Sequence, residues 1–111
     1  MRWLLALSLA FGSIAWSAGL APVAGRYVID VRTPTEWDAA HVAGAVLIPH
    51  AEIGARIESV VPARDAPISL YCGSGKRAGK ALETLKAMGY TDLENLGGLE
   101  DAGRKLAERT R

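Results

Sequence analysis

The chain has 111 residues, half of them hydrophobic and 23% charged, with a formal net charge of +1. That is one domain of ordinary globular composition; setting Arg2 aside leaves 12 basic against 12 acidic residues. Such a balance excludes a nucleic-acid binder and a protein held to an anionic membrane, both of which need a basic patch.

The N-terminus has the pattern of a secretory signal. Arg2 supplies a minimal positive start, Leu4 to Ala15 form an uncharged, mostly apolar run of 12 residues, and Ser17, Ala18, Gly19 and Ala21 are small. The run falls short of the about 20 residues a membrane span needs and suits a signal peptide. Cleavage is expected after Ser17, Gly19 or Ala21. Residues 1–21 are therefore read as a signal peptide, and 22–111 as the mature domain, exported to the periplasm with no stable membrane association. Export gives the single cysteine, Cys72, a particular meaning. An oxidising compartment pairs cysteines, and a lone one is a free reactive thiol, an intermolecular link or a buried apolar side chain.

Strand-like and helix-like segments then alternate. Arg26–Val31 is a near-continuous apolar run of β-formers, the pattern of a strand buried on both faces. Thr33-Pro34-Thr35-Glu36 announces a helix, with Thr33 as N-cap, Pro34 at the first helical position and Glu36 completing a capping box. Trp37 is expected to be core on this short helix, and His41 to hold the turn before Gly44. Ala45–Ile48 is a second strand closed by Pro49. From about Ala51 a second helix presents Ile53, Ile57 and Val60 on one face. Prolines mark Pro62–Pro67 as a loop. Ile68–Tyr71 is a third strand that delivers Cys72. Arg77–Met88 carries the apolar stripe Ala78, Ala81, Leu82, Leu85 and Met88 and ends at Gly89. Thr91–Leu96 is a fourth strand, Gly97-Gly98 a turn and Leu99–Arg109 a last helix. The alternation predicts a small three-layer α/β domain: a parallel sheet of about four or five strands with helices on both faces.

In such a sheet the ligand site lies outside the carboxyl ends of the strands. Cys72 closes the third strand there, and Asp30 and Arg32 close the first. The loop Cys72-Gly73-Ser74-Gly75-Lys76-Arg77 can turn tightly with its amides facing inward. The following helix start and the cations Lys76 and Arg77 favour a thiolate over a thiol. No acid lies between Asp65 and Glu83, so local charge around the cysteine is positive. Two histidines and one cysteine show no metal-ligand spacing, and no metal or organic cofactor is implied.

From Val28 to Asp101 the sequence resembles the rhodanese-like sulfurtransferases, in particular the exported single-domain thiosulfate sulfurtransferases of the phage-shock type. The resemblance is carried by Asp30-Val31-Arg32 with Glu36-Trp37 and His41-Val42-Ala43-Gly44-Ala45, by the loop Cys72–Arg77, by Met88-Gly89-Tyr90, and by Leu96-Gly97-Gly98-Leu99. Many members carry a tryptophan soon after the paired glycines, where this chain has Glu100 and Asp101. The resemblance implies transfer of a sulfane sulfur from thiosulfate to cyanide or a thiol through a Cys72 persulfide. By the same resemblance Gly73, Ser74, Gly75, Lys76 and Arg77 bind the substrate sulfur and sulfonate, and Asp30 and Arg32 brace the loop. A second reading keeps the same loop in a sulfur-carrier module serving a protein acceptor. A Cys-dependent phosphatase or arsenate reductase is less well matched: those loops are one residue longer between Cys and Arg than the four that separate Cys72 from Arg77 here, and Ala78 stands where their Arg would fall.

Overall fold

The computed structural model describes residues 22–111; the expected signal peptide lies outside the described residues. Strand β1 (Tyr27–Asp30) leads to helix α1 (Pro34–Ala39) and strand β2 (Val46–Leu47). A 3-10 turn (His50–Glu52) opens helix α2 (Ile53–Val60), followed by strand β3 (Pro67–Cys72), helix α3 (Lys76–Ala87), strand β4 (Asp92–Gly98) and helix α4 (Leu99–Arg109). The four strands run parallel in the order β2-β1-β3-β4.

The two central strands are buried on both faces, as their unbroken apolar runs require. Side-chain alternation along β3 sorts its residues between two cores. Ile68, Leu70 and Cys72 face the layer of α2 and α3, where they meet Ile53, Ile57, Ala78, Ala81 and Leu85. Tyr71 points the other way, into a smaller core with Val28 of β1, Leu96 of β4, and Ala102 and Leu106 of α4. Each fully buried Ile or Leu contributes about 1.5–3 kcal/mol. The same alternation puts Cys72 on the face covered by α3, directly before that helix begins.

Some elements differ from expectation. The second strand shrinks to Val46–Leu47, because only these two residues pair, with Ile29 and Asp30. Gly97-Gly98 is not a turn but the end of β4. A bulge shifts the β3–β4 register after Leu70↔Asn95, so that Tyr71 pairs with Gly97 and Cys72 with Gly98. Gly97 takes φ +93° to allow this, a conformation that suits glycine. Trp37 is not core. Helix α1 buries none of its residues, and the Trp37 ring instead stacks on His41 with centroids 3.5 Å apart. His41 Nδ1 lies 2.8 Å from the Trp37 carbonyl, so His41 closes the end of α1 ahead of the Gly44 turn.

Candidate active site

The site forms where β3 runs into α3. Gly75 is the N-cap of α3, in the left-handed region at φ +96°, and no side chain of the usual capping type serves this helix. A helix start leaves backbone N–H groups without partners. Here the Cys72 sulfur takes them: Gly75 N–H donates to Sγ at 2.9 Å and Ala78 N–H at 3.5 Å. Burial pushes the Cys72 thiol up, but the amides of Ala78, Ser74, Gly75 and Arg77 outweigh it and hold the thiol below its ordinary value. A neutral thiol is a weak acceptor and a thiolate a strong one, so an amide cradle of this kind selects the charged form. Cys72 itself is fully buried, on the floor of the loop, while Gly73 and Ser74 above it are exposed. One face of the cysteine thus belongs to the core and its sulfur belongs to the loop.

The two loop cations are in different situations. Arg77 donates to both carboxylate oxygens of Glu36, at 2.8 and 3.0 Å, a bidentate pair across 41 residues of chain. The Arg77 guanidinium, helped by the Thr33 backbone amide, holds the Glu36 carboxyl down to about 2. Glu36 also completes the expected capping box, with Thr33 N–H donating to its Oε1 at 3.0 Å and Glu36 N–H to Thr33 Oγ1 at 3.2 Å. Helix α1 is therefore riveted to the loop through one side chain. Lys76 is exposed and forms no ion pair among the described residues.

Asp30 and Arg32 form a buried pair. Arg32 Nη2 donates to Asp30 Oδ2 at 2.7 Å, Arg32 Nε to both Asp30 oxygens, and the Arg32 backbone N–H to Oδ1 at 2.9 Å. The same Nη2 reaches the Ala40 carbonyl at the end of α1 at 2.6 Å, and the guanidinium lies 5.5 Å from the centre of the Tyr71 ring. Neither side chain bonds to residues 73–77. Their contacts hold the residue before Cys72 and the helix that carries Glu36, so any support they give the loop runs through those two.

The side chain that does reach the loop from the sheet is Asn95 of β4. Its Nδ2 donates to the Gly75 carbonyl at 2.9 Å, and its Oδ1 accepts from Gly97 N–H at 2.9 Å. Sequence reasoning missed this residue and gave Glu36 no contact beyond its helix cap, because neither partnership is written in local spacing. The clearest available signal was the lone Asn preceding a glycine pair in an otherwise strand-like segment. The glycine pair packs closely on the loop: a Cβ on Gly98 would lie 2.6 Å from the Gly73 carbonyl oxygen. Beside this contact a cleft of about 360 Å³ is lined by Gly73, Gly98, Leu99, Glu100 and Asp101. A larger cavity of about 490 Å³ lies away from the cysteine, among Leu82, Lys86, Gly89, Tyr90, Thr91 and Leu93.

The profile of the rhodanese-like domain family matches residues 17–103. The chain belongs to the rhodanese-like domain family. It is 42% identical over 100 residues to the thiosulfate sulfurtransferase PspE of Escherichia coli K12, covering 90% of this chain and 89% of that protein. A solved structure described as a rhodanese with anions from E. coli superposes with a TM-score of 0.67 at 43% identity, over 68% of this chain and 89% of that one. The human single-domain sulfurtransferase TSTD1 shares the fold, with a TM-score of 0.60 at 23% identity over 87% of this chain and 93% of that one. The rhodanese-like fold is thus present in its four-stranded parallel form, and the single cysteine of this chain stands at the helix-opening loop. Among the described residues no group of His, Cys, Asp and Glu side chains could hold a metal ion.

Proposed function

We propose that this protein is a thiosulfate sulfurtransferase working through a persulfide on Cys72. The observation that carries the reading is the Cys72 sulfur standing as the N-terminal ligand of α3, 2.9 Å from the Gly75 amide. The family and the similarity to PspE give the reaction class its support.

The chemistry follows from that geometry. The Cys72 thiolate attacks the outer sulfur of thiosulfate. A sulfur–sulfur bond forms to Cys72, the sulfur–sulfur bond of thiosulfate breaks, and sulfite leaves with the electron pair. The outer sulfur remains on Cys72 as a persulfide, with the amides of Ser74, Gly75, Arg77 and Ala78 facing it in place of the original thiolate. Cyanide or a thiolate then attacks this sulfur, and the electron pair returns to Cys72. This is covalent catalysis by one activated nucleophile, and the same donors serve both half-reactions. Lys76, exposed and without an ion-pair partner among the described residues, draws in the sulfonate. Arg77, paired through both its terminal nitrogens with Glu36, acts more through the shape of the loop than as a free charge. Asp30 and Arg32 support the loop at one remove, through Tyr71 and α1.

We also propose that residues 1–21 are a signal peptide and that 22–111 work in the periplasm. The Arg2 start, the short apolar run and the small residues after it support this. No helix of the described residues is long and apolar enough to cross a membrane.

The test is thiocyanate formation from thiosulfate and cyanide by the domain 22–111. The wild type is expected to turn over, and Cys72→Ala to be inactive while keeping its fold by circular dichroism. Undiminished activity in Cys72→Ala would remove the cysteine from the mechanism.

A further inference from the structure

We infer that Asn95 is a positioning residue, which holds the Gly75 amide on the Cys72 sulfur. The cradle has one weak point. Its shortest donor is the N–H of a glycine at φ +96°, ψ −13°. Glycine has little torsional preference of its own, so nothing in residue 75 keeps its N–H aimed at the sulfur. The restraint must come from outside. The Gly75 carbonyl accepts two hydrogen bonds, from Gly79 N–H at 2.9 Å as the first bond of α3 and from Asn95 Nδ2 at 2.9 Å. One ties the residue to the helix and the other to the sheet.

The Asn95 carboxamide is itself fixed. Its oxygen accepts from Gly97 N–H and its nitrogen donates to a carbonyl. The two partners are of opposite kind, so one orientation of the amide satisfies both. Asn95 pairs with Leu70 at the last regular position before the bulge, and beyond it Gly98 pairs with Cys72. The result is a closed circuit: Cys72 sulfur, Gly75 amide and carbonyl, Asn95 side chain, Gly97 amide, and back through Gly98 to Cys72. The bulge is what gives it room. It carries Gly97 alongside Gly75, with the Cα of Gly97 only 3.4 Å from where a Cβ on Gly75 would sit. Asn95 is exposed, so its side chain contributes little to folding by burial.

The inference rests on the thiolate reading of Cys72 but is tested without a sulfur donor. The experiment is the pH dependence of Cys72 alkylation by iodoacetamide in wild type, Asn95→Ala and Asn95→Leu, with melting temperature measured alongside. A hydrogen bond to a charged group, once lost, moves the midpoint of thiol ionisation up by about one pH unit. The expected result is that rise in both variants, with alkylation below the midpoint slowed about tenfold and melting within a few degrees of wild type. An unchanged midpoint in a folded variant overturns the inference, and so does failure of both variants to fold, which would make Asn95 structural. Wild-type protein that forms no thiocyanate would sink the proposed reaction and leave this inference standing.

Discussion

Strand β3 carries a small buried polar side chain toward each end, Ser69 and Cys72, and the fold treats them in opposite ways. At Ser69 every polar group is matched. Arg26 Nε donates to Ser69 Oγ at 2.7 Å, Ser69 donates to Glu94 Oε2 at 2.5 Å, and Arg109 closes on both Glu94 oxygens at 2.6 and 3.1 Å. Arg26 also pairs with Asp92 at 2.9 Å. This network ties the entry to β1, the edge strand β4 and the end of α4 into one unit. At Cys72 the donors converge on an atom that becomes a full acceptor only when it ionises. The difference is between hydrogen-bonding capacity already satisfied, which stabilises, and capacity held in reserve, which serves chemistry.

The contrast breaks most visibly at Gly98. In Gly98→Ala the new methyl meets the Gly73 carbonyl oxygen at 2.6 Å and its carbon at 3.3 Å, and backbone on both sides leaves no soft neighbour to move. Overpacking of this kind costs about 1–3 kcal/mol, and a cradle displaced by around an ångström loses up to about 10²-fold in rate. Steady-state assay and a melting curve are expected to show a fall in kcat/KM of at least about tenfold with the domain still folded at 25 °C. Full activity would mean that the glycine pair does not set the shape of the loop.

Glu94→Gln sharpens the other side. It is expected to leave kcat/KM unchanged and to cost about 1 kcal/mol for a partly exposed pair, a fall in melting temperature of roughly 4–8 °C at this size. The pH dependence carries a sign. Arg109, with Ser69 and Arg26, holds the Glu94 carboxyl down to about 2 from a usual 4.5. The folded value lies below the unfolded one, so the stabilisation is complete above about pH 4.5 and is lost as the pH falls toward 2. The variant should therefore lose less melting temperature than wild type between pH 7 and pH 3. Glu36, held down to about 2 by Arg77, keeps part of the acid sensitivity in both proteins. An equal loss in the two would remove Glu94 as a source of it.

Much of this was legible in the sequence. The alternation of apolar runs and helical stripes gave the layer order, and Cys72 at a strand end before a Gly-rich turn marked the loop where the amide cradle forms. The capping box at Thr33 and Glu36 formed as its spacing requires. What local pattern could not carry was partnership across the sheet. Glu36 reads as a cap, yet its carboxylate also clamps Arg77. Asn95 reads only as part of the fourth strand, yet its amide reaches Gly75. Gly97-Gly98 reads as a turn, because φ +93° and a bulge look the same in sequence as a chain reversal. Trp37 reads as core because large aromatics usually are; helix α1 lies too far out to bury it, and it stacks on His41 instead.

The proposed reaction requires Cys72 to hold the transferred sulfur. Intact mass of the domain after thiosulfate treatment measures this directly. A gain of one sulfur atom is expected, lost on adding cyanide and absent in Cys72→Ala. An unchanged mass, or a gain that survives in Cys72→Ala, would contradict it.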